Sequence, residues 1–192
     1  MTVTPYDDIV DIGRRCSKLR EALGKASDDV RADPSSKYLY MCEVSGERPN
    51  PVFLAVTRNK NIRSLDLHNT YLGHRALLPI LLTLSLCTWI EYINLQEERL
   101  TTTLIELLCE ALAGLPRISV IDVSGNPFGS FGVEALLKLV RRRESIVECH
   151  VNGVQCVGAL SRRLQAACER NARGFHKCEG TEDPRCPVVR NV

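Results

Sequence analysis

The sequence predicts an α/β chain built as a solenoid, with a short curved parallel sheet inside and helices outside. Four segments begin 28 residues apart, and a fixed period of this length is typical of stacked repeats. Apolar residues recur at the same places in each segment, first at alternate positions and then at helical spacing. Each unit is therefore expected to form a strand, a turn and a helix that bury their apolar faces against neighbouring units. The segments are 62–73, 90–101, 118–129 and 146–157.

Two apolar columns define the strand of each unit, and two define its helix. The first strand column holds Leu65, Ile93, Ile121 and Cys149, and the second holds Leu67, Leu95, Val123 and Val151. The helix columns hold Ile80, Leu108, Leu136 and Leu164, and then Leu84, Leu112, Val140 and Cys168. The spacing of two within strands and four within helices indicates one buried face for each element.

These columns resemble the leucine-rich repeats of the ribonuclease-inhibitor-like class, whose unit is LxxLxLxxNxLxxxG followed by an LxxxL helix. The resemblance covers 62–173 and is strongest over 118–132, where Asn126 and Gly132 occupy the Asn and Gly positions. It implies that Asn126 hydrogen-bonds the backbone of adjacent coils. At the Asn position the other units carry Thr70, Glu98 and Val154. A continuous Asn ladder is therefore not expected.

Residues 1–33 are predicted to form an amphipathic helix followed by a linker. Thr4 and Pro5 suit the start of the helix, and Gly24 suits its end. Its apolar residues step by three and four, which favours packing against another helix. These residues are Ile9, Ile12, Cys16, Leu19 and Leu23. The helix is expected either to fold back as a cap or to bind a helix of another protein. The polar segment 26–36, with Asp33-Pro34-Ser35, is expected to be a linker or the entry to a helix.

Residues 34–61 are predicted to be a helical N-terminal cap, with helices over 37–44 and 52–58. The lead-in over 38–51 resembles that of small leucine-rich repeat proteins from flagellated protists, many of which belong to the cilium or its cytoskeleton. This resemblance rests on Tyr38, Cys42, Gly46, Arg48, Pro49, Asn50 and Pro51. Residues 62–173 are assigned to four repeats. Residues 174–192 are predicted to be an extended tail, because Pro184 and Pro187 oppose regular structure.

The composition fits one soluble chain. Of 192 residues, 44% are apolar, and the net charge of +2 does not indicate a class of partner. No apolar run reaches about 18 residues, so no membrane span is expected. The N-terminus lacks the apolar core of a secretory signal, which favours a cytoplasmic or nuclear location. The nine cysteines are interpreted mainly as reduced core residues.

Alternate strand positions are expected to point away from the core and to form the concave face of the solenoid. One column is polar in every unit, and a solvated surface, protein binding or a metal or acid–base site would each require this. That column is Asp66, Asn94, Asp122 and His150. The predicted protein-binding residues are Asp66, His68, Tyr92, Asn94, Gln96, Asp122, Ser124, His150 and Asn152. Replacement of Asp122 with Ala is expected to leave folding nearly intact.

No motif predicts an enzyme, a cofactor or a metal site. Nucleophile, phosphate-loop, dinucleotide and metalloprotease signatures are not found in the sequence. His176, Cys178 and Cys186 do not have the paired spacing of structural zinc ligands.

A basic patch is predicted towards the C-terminal end of the repeats. Helix capping explains the first three of its arginines, and the whole patch suits acidic tubulin surfaces or RNA. The patch consists of Arg141, Arg142, Arg143, Arg162 and Arg163. The aromatic content of 5% disfavours an RNA reader that stacks bases.

The sequence therefore predicts a non-enzymatic scaffold or adaptor that binds proteins within a multi-subunit assembly. The resemblance to the protist proteins implies the axoneme of a cilium or flagellum, with tubulin or axonemal proteins as partners. One alternative is an RNA-associated component of a ribonucleoprotein or of ribosome assembly. Another is a regulator of a small GTPase, because one branch of the resembled repeat class activates GTP hydrolysis.

Overall fold

The computed structural model describes residues 5–68 and 70–178, and helices dominate this part of the chain. Eight helices and four strands of three residues follow one another along it. The helices are α1 (Pro5–Lys25), α2 (Asp28–Ala32), α3 (Pro34–Ser45), α4 (Pro51–Arg58), α5 (Gly73–Leu84), α6 (Thr102–Ala113), α7 (Gly129–Arg142) and α8 (Gly158–Cys178). The strands are β1 (Ser64–Asp66), β2 (Tyr92–Asn94), β3 (Val120–Asp122) and β4 (Glu148–His150).

The four N-terminal helices form where the sequence supplies caps. Asp33 accepts a hydrogen bond from the Ser36 N–H at 2.7 Å and precedes Pro34, which suits the first helical position. Asn50 and Pro51 start α4 in the same way, with a 3.0 Å bond from the Phe53 N–H. Within the segment 26–36, Ser27 caps the short helix α2, and Asp33-Pro34 is the entry to α3.

Helix α1 folds back onto its own chain. Its residues Ile12, Cys16 and Leu19 are buried, and the helix contacts α3 and α5. Tyr40 Oη also donates to the Ala22 carbonyl at 3.1 Å. The apolar face of α1 is therefore used within the molecule, as in the first of the two alternatives for this helix.

The strands form one parallel sheet in the order β1-β2-β3-β4. Paired residues are 28 positions apart: Leu65 lies opposite Ile93, which lies opposite Ile121, which lies opposite Cys149. These side chains join a continuous apolar core that runs from Ile12 in α1 to Cys168 in α8. The helix that follows each strand packs against the helix of the next unit.

The predicted fold class, an α/β solenoid around a curved sheet, is wrong. The described chain is mostly helical, and each strand contributes only three residues whereas α5 to α8 contribute 12 to 21 each. Four helices precede the first strand. The period of the sequence marks equivalent positions but does not fix how much of each unit is strand. The fold is better described as a helical chain with a small parallel sheet.

The C-terminal prediction needs a second correction. Helix α8 continues through Gly174 to Cys178, so the first five residues of the predicted extended tail are helical. The rest of that tail lies outside the described residues. Among the helices that the structure describes, none combines the length and the apolar character needed to cross a membrane.

Candidate protein interface

The polar column at the strand ends closes a turn in three of the four units. Asp66 Oδ1 accepts from the His68 N–H at 3.0 Å, and Asn94 Oδ1 accepts from the Gln96 N–H at 3.1 Å. Asp122 Oδ1 accepts from the Ser124 N–H at 3.0 Å. We call the set Asp66, Asn94, Asp122 and His150 the outward row. Its acidic and amide side chains stabilise the backbone after β1, β2 and β3.

The central members of the outward row are enclosed. Asn94 and Asp122 are buried, whereas Asp66 at the edge strand is exposed. Asp122 also accepts a hydrogen bond from Gln96 Nε2 through its second carboxylate oxygen. Burial, together with the negative charges of Asp66 and Asp122, raises the pKa of Tyr92. Asn94 and Asp122 thus bond within the chain, whereas Tyr92, Gln96 and Ser124 beside them are half-buried.

The remaining predicted contact residues lie around the outward row. His68 and Asn152 are exposed, and the Asn152 N–H donates to Ser124 Oγ at 3.1 Å. His150 Nε2 lies 3.1 Å from Glu148 Oε2 on the same strand. Protein binding by this face stays a prediction, and its most exposed residues are Asp66, His68 and Asn152, in the units of the two edge strands.

Glu98 lies at the position equivalent to Asn126 in the preceding unit, where the sequence has no Asn and the Asn ladder was expected to be interrupted. Its side chain is only 1% exposed, and Oε1 accepts from the N–H groups of Thr70 at 2.8 Å and Tyr71 at 3.1 Å. Oε2 accepts from the Leu72 N–H at 2.9 Å. Glu98 thus ties the loop before α5 to the following unit. Sequence alone did not identify this role, because an acidic residue at the position reads as a departure from the pattern.

Asn126 performs the equivalent task one unit later. Its Oδ1 accepts from the Leu100 N–H at 2.9 Å, and its Nδ2 donates to the Leu95 carbonyl at 2.8 Å. The resemblance implied this bonding to the backbone of an adjacent coil. The loops after β1 and β2 are therefore each fixed by a buried polar side chain of the next unit.

The same two loops contain all the left-handed non-glycine residues of the described chain. Tyr71, Glu97 and Arg99 have φ values of 49°, 58° and 56°. The positions equivalent to Glu97 in the next two units are Gly125 and Gly153. Such backbone is costly for a side-chain-bearing residue and is found most often where function requires it.

Large exposed side chains recur where each strand leads into its helix. Tyr71 is 71% exposed in the loop before α5, and Phe131 is 76% exposed in the first turn of α7. Arg99 and Val157 are also exposed in the corresponding loops. We call Tyr71, Arg99, Phe131 and Val157 the loop edge. Sequence reasoning missed it because apolar residues between elements do not follow the core columns.

The predicted basic patch divides into exposed and structural arginines. Arg141 and Arg142 at the end of α7 are exposed, as are Arg162 and Arg163 on α8. Within the part of the chain that the structure covers, none of these four forms an ion pair. Arg143 does not share this exposure: it is half-buried, and its guanidinium donates to the Leu115 carbonyl.

Asn171 is a second structural residue that the sequence did not reveal. It is buried one period after Arg143, and its Nδ2 donates to the Val140 carbonyl at 3.0 Å and to the Ile146 carbonyl at 2.9 Å. Its contacts satisfy carbonyls at the end of α7. In the sequence, the only indication of this structural role is that a polar residue stands at the position equivalent to Arg143.

Burial favours the neutral thiol of Cys87, Cys109 and Cys168. Seven cysteines in the described region are free, and burial raises the pKa of Cys87 and Cys109 to about 12 and that of Cys168 to about 11. A thiol with so high a pKa is a poor nucleophile and a poor metal ligand. In the same region no group of three or more His, Cys, Asp or Glu side chains is placed to hold a metal ion. The side chains of His176, Cys178 and Cys186 lie outside the described ones.

Comparisons with known proteins give two partial likenesses. No family model matches the chain. The photoactivated adenylate cyclase subunit alpha of Euglena gracilis and the subunit alpha-like protein FB of that organism are each 25% identical over 152 residues. The match covers 75% of this chain but only 15% of the length of either relative.

The solved structure of leiomodin-1 actin-binding site 2 has a similar fold. The TM-score is 0.55 at 12% identity, and the likeness covers 69% of this chain and 95% of that one. At this identity the likeness concerns the fold alone. It supports the mainly helical description and not the predicted solenoid.

Proposed function

We propose that this chain is a non-enzymatic protein-binding module that serves as a scaffold or adaptor within a larger assembly. The loop edge is the observation that carries the proposal. Tyr71 and Phe131 present most of their aromatic surface to solvent, and tyrosine and phenylalanine are common anchors of protein interfaces.

The backbone beneath the loop edge is fixed in advance of binding. Glu98 holds the backbone N–H groups of residues 70–72, and Asn126 holds that of Leu100. A surface that is already ordered loses less conformational entropy when a partner binds. The strained backbone at Tyr71 and Arg99 is therefore understandable as part of a presented surface.

The proposal that the chain is not an enzyme rests on the hydrogen bonds that its polar side chains already make within the molecule. The outward row closes turns and accepts internal hydrogen bonds, and Glu98 is engaged through both oxygens. The adenylate cyclase named in the Euglena relatives is a much longer chain than the shared segment. We propose that this segment is a binding element and not the cyclase itself.

The proposed setting is the cytoskeleton of a cilium or flagellum. This setting is based on the resemblance of residues 38–51 to the lead-in of the small leucine-rich repeat proteins of flagellated protists. Tubulin or axonemal proteins are the corresponding partners. The small-GTPase alternative stays a prediction.

Affinity capture with paired variants tests the proposal. The tagged full chain and its Tyr71→Ala/Phe131→Ala variant would be captured from the native cell and compared by mass spectrometry. The matched control is Val52→Ala, which truncates an exposed apolar residue on α4. Loss of the same proteins from the double variant, with the control unchanged, is expected. An unchanged protein set in the double variant would refute the loop edge as the binding surface.

RNA association is the second candidate, because the four exposed arginines of α7 and α8 have no acidic partner in the described region. Neutralising Arg141 and Arg142 with glutamine should then abolish salt-sensitive RNA binding. RNA binding that is absent in the unmodified chain would remove this candidate.

A further inference from the structure

Helices α7 and α8 run side by side, and hydrogen bonds near both of their ends fix how they align. Near their starts the Val157 N–H donates to Ser130 Oγ at 3.4 Å, and at the end of α7 Asn171 Nδ2 donates to the Arg143 carbonyl at 3.2 Å. These bonds join residues 27 and 28 positions apart, so the two helices are parallel and in the register of the repeat. Exposed residues at corresponding positions of α7 and α8 are therefore neighbours. We call the exposed side of the two helices the α7–α8 face.

The α7–α8 face is strongly basic. Arg142 and Arg170 occupy corresponding positions of the two helices, and Lys138 lies one turn before Arg142. Among the described side chains of α7 and α8, the exposed basic residues are Lys138, Arg141, Arg142, Arg162, Arg163, Arg170 and Arg173, and the exposed acidic residues are Glu134 and Glu169. So large an excess of positive charge on one surface creates a potential that attracts acidic partners.

The acidic residues of the chain do not neutralise this charge within the described region. The six ion pairs there between a Lys or Arg and a carboxylate all join residues from 11 to 110, and none includes a residue of α7 or α8. Glu169 Oε1 instead accepts a hydrogen bond from Gln165 Nε2 at 3.1 Å. The α7–α8 face therefore lacks the counter-charges that the preceding helices supply for one another.

Phe131 adds an apolar contact at one end of the α7–α8 face. Its side chain is 76% exposed, and it shares one side of α7 with Ala135, Lys138 and Arg142, which follow at spacings of four, three and four. From Phe131 to Arg142 this stripe is ~16 Å long. One exposed aromatic ring is too few for the row of stacked bases by which proteins hold single-stranded RNA. An apolar end followed by a basic end instead suits a polypeptide with both apolar and acidic side chains.

We propose that the α7–α8 face binds an acidic amphipathic helix of another protein, about three turns long. An apolar side chain of the partner packs against Phe131, and its carboxylates pair with Lys138, Arg142 and Arg170. An extended segment gains affinity mainly from backbone hydrogen bonds to a sheet edge, which the exposed side of two helices does not offer, whereas a helix binds through side chains alone. This inference rests on the proposed function, because Phe131 belongs to the loop edge, and it adds the chemistry of the partner.

Fluorescence anisotropy with labelled peptides tests the proposal on the full chain. The first probe is a helical peptide of about 15 residues with glutamate and leucine on one face, and the second has glutamine in place of every glutamate. A single-stranded uridine oligonucleotide is the third probe. The variants are Arg142→Gln/Arg170→Gln and a matched control, Lys18→Gln/Arg48→Gln, which removes the same charge from exposed positions outside α7 and α8.

We expect the acidic peptide to bind and its affinity to fall as salt is added. Arg142→Gln/Arg170→Gln should weaken this binding about five- to tenfold, whereas Lys18→Gln/Arg48→Gln should leave it nearly unchanged. Equal weakening by the two double variants would mean that net charge acts and not the α7–α8 face, and would overturn the proposal. The same holds if the acidic and glutamine peptides bind equally, if no peptide binds, or if only the oligonucleotide binds.

Failure of this proposal is distinguishable from failure of the proposed function. Loss of captured proteins from the Tyr71→Ala/Phe131→Ala variant does not depend on the charge of the partner. That loss, together with equal binding of the two peptides, would keep the loop edge as a protein interface and remove only the acidic helix as its occupant.

Discussion

Glu98 shows how one side chain can hold a loop that the backbone alone does not close. Its two oxygens accept hydrogen bonds from three backbone N–H groups, those of Thr70, Tyr71 and Leu72. A carboxylate offers two acceptor oxygens, which suits a loop that presents only donors to it. The loop that carries Tyr71 therefore depends on a residue of the following unit.

Replacing Glu98 with Ala should lower the free energy of unfolding by about 1–3 kcal/mol, because three partly buried backbone N–H groups lose an acceptor. Urea denaturation followed by circular dichroism measures this change. Glu134→Ala, which alters an exposed residue of α7, is the control and should shift stability by less than about 0.5 kcal/mol. Equal effects of the two variants would contradict the role of Glu98.

Individual residues also mark the limits of sequence reasoning. The apolar columns correctly placed Leu65 opposite Ile93, because core residues must repeat with the unit. The expectation that Asp122→Ala spares the fold does not suit a buried carboxylate that accepts from Ser124 and Gln96. Polarity in a sequence does not distinguish a solvated side chain from one enclosed by hydrogen bonds.

At the scale of elements, the 28-residue period was predictable but the proportions of helix and strand were not. The sequence predicted helices over 37–44 and 52–58, whereas α3 and α4 begin at Pro34 and Pro51, where Asp33 and Asn50 cap them through short-range hydrogen bonds. The extent of strand in each unit depends on packing between units, which the 28-residue period does not specify. This is why the predicted α/β solenoid proved to be a mostly helical chain. The loop edge was missed for a related reason, since exposure of Tyr71 and Phe131 is decided by tertiary structure.

Helix α1 is attached to α5 partly through Asp11. This carboxylate contacts Arg15 at 2.6 Å and Arg14 at 2.9 Å on its own helix, and lies 3.3 Å from His74 Nε2 on α5. Hydrogen bonds from Arg15 and then Arg14 hold the pKa of Asp11 far below its usual range. The ionised form is therefore favoured by folding.

Asp11→Asn should lower the free energy of unfolding by about 1 kcal/mol near neutral pH. The contribution of Asp11 is complete above the unfolded carboxyl pKa of about 3.9 and is lost as pH falls towards its depressed folded pKa. The difference between the variant and the unmodified chain should therefore shrink at about pH 2–3. Urea unfolding across this range measures it, with Asp29→Asn on α2 as an exposed control. A difference that does not depend on pH would contradict the ionic origin.

At the scale of the whole molecule, one core connects the N-terminal helices to the last repeat. It is continuous from Ile12 through Trp89 to Cys168. Segments that share a core lose it together, so small chains of this kind usually unfold in one step. We therefore expect the N-terminal helices to unfold together with the rest of the described chain.

Ile12→Ala tests this, because it removes a fully buried side chain of α1 and should cost about 2–5 kcal/mol. Unfolding would be followed by circular dichroism for the helices and by fluorescence of Trp89, the single tryptophan. Both midpoints should fall together, whereas Val10→Ala on the exposed side of α1 should leave them in place. If α1 unfolded independently, Ile12→Ala would change the dichroism curve and leave the Trp89 transition unchanged. A shared shift is expected because Ile12 and Trp89 belong to the same buried cluster.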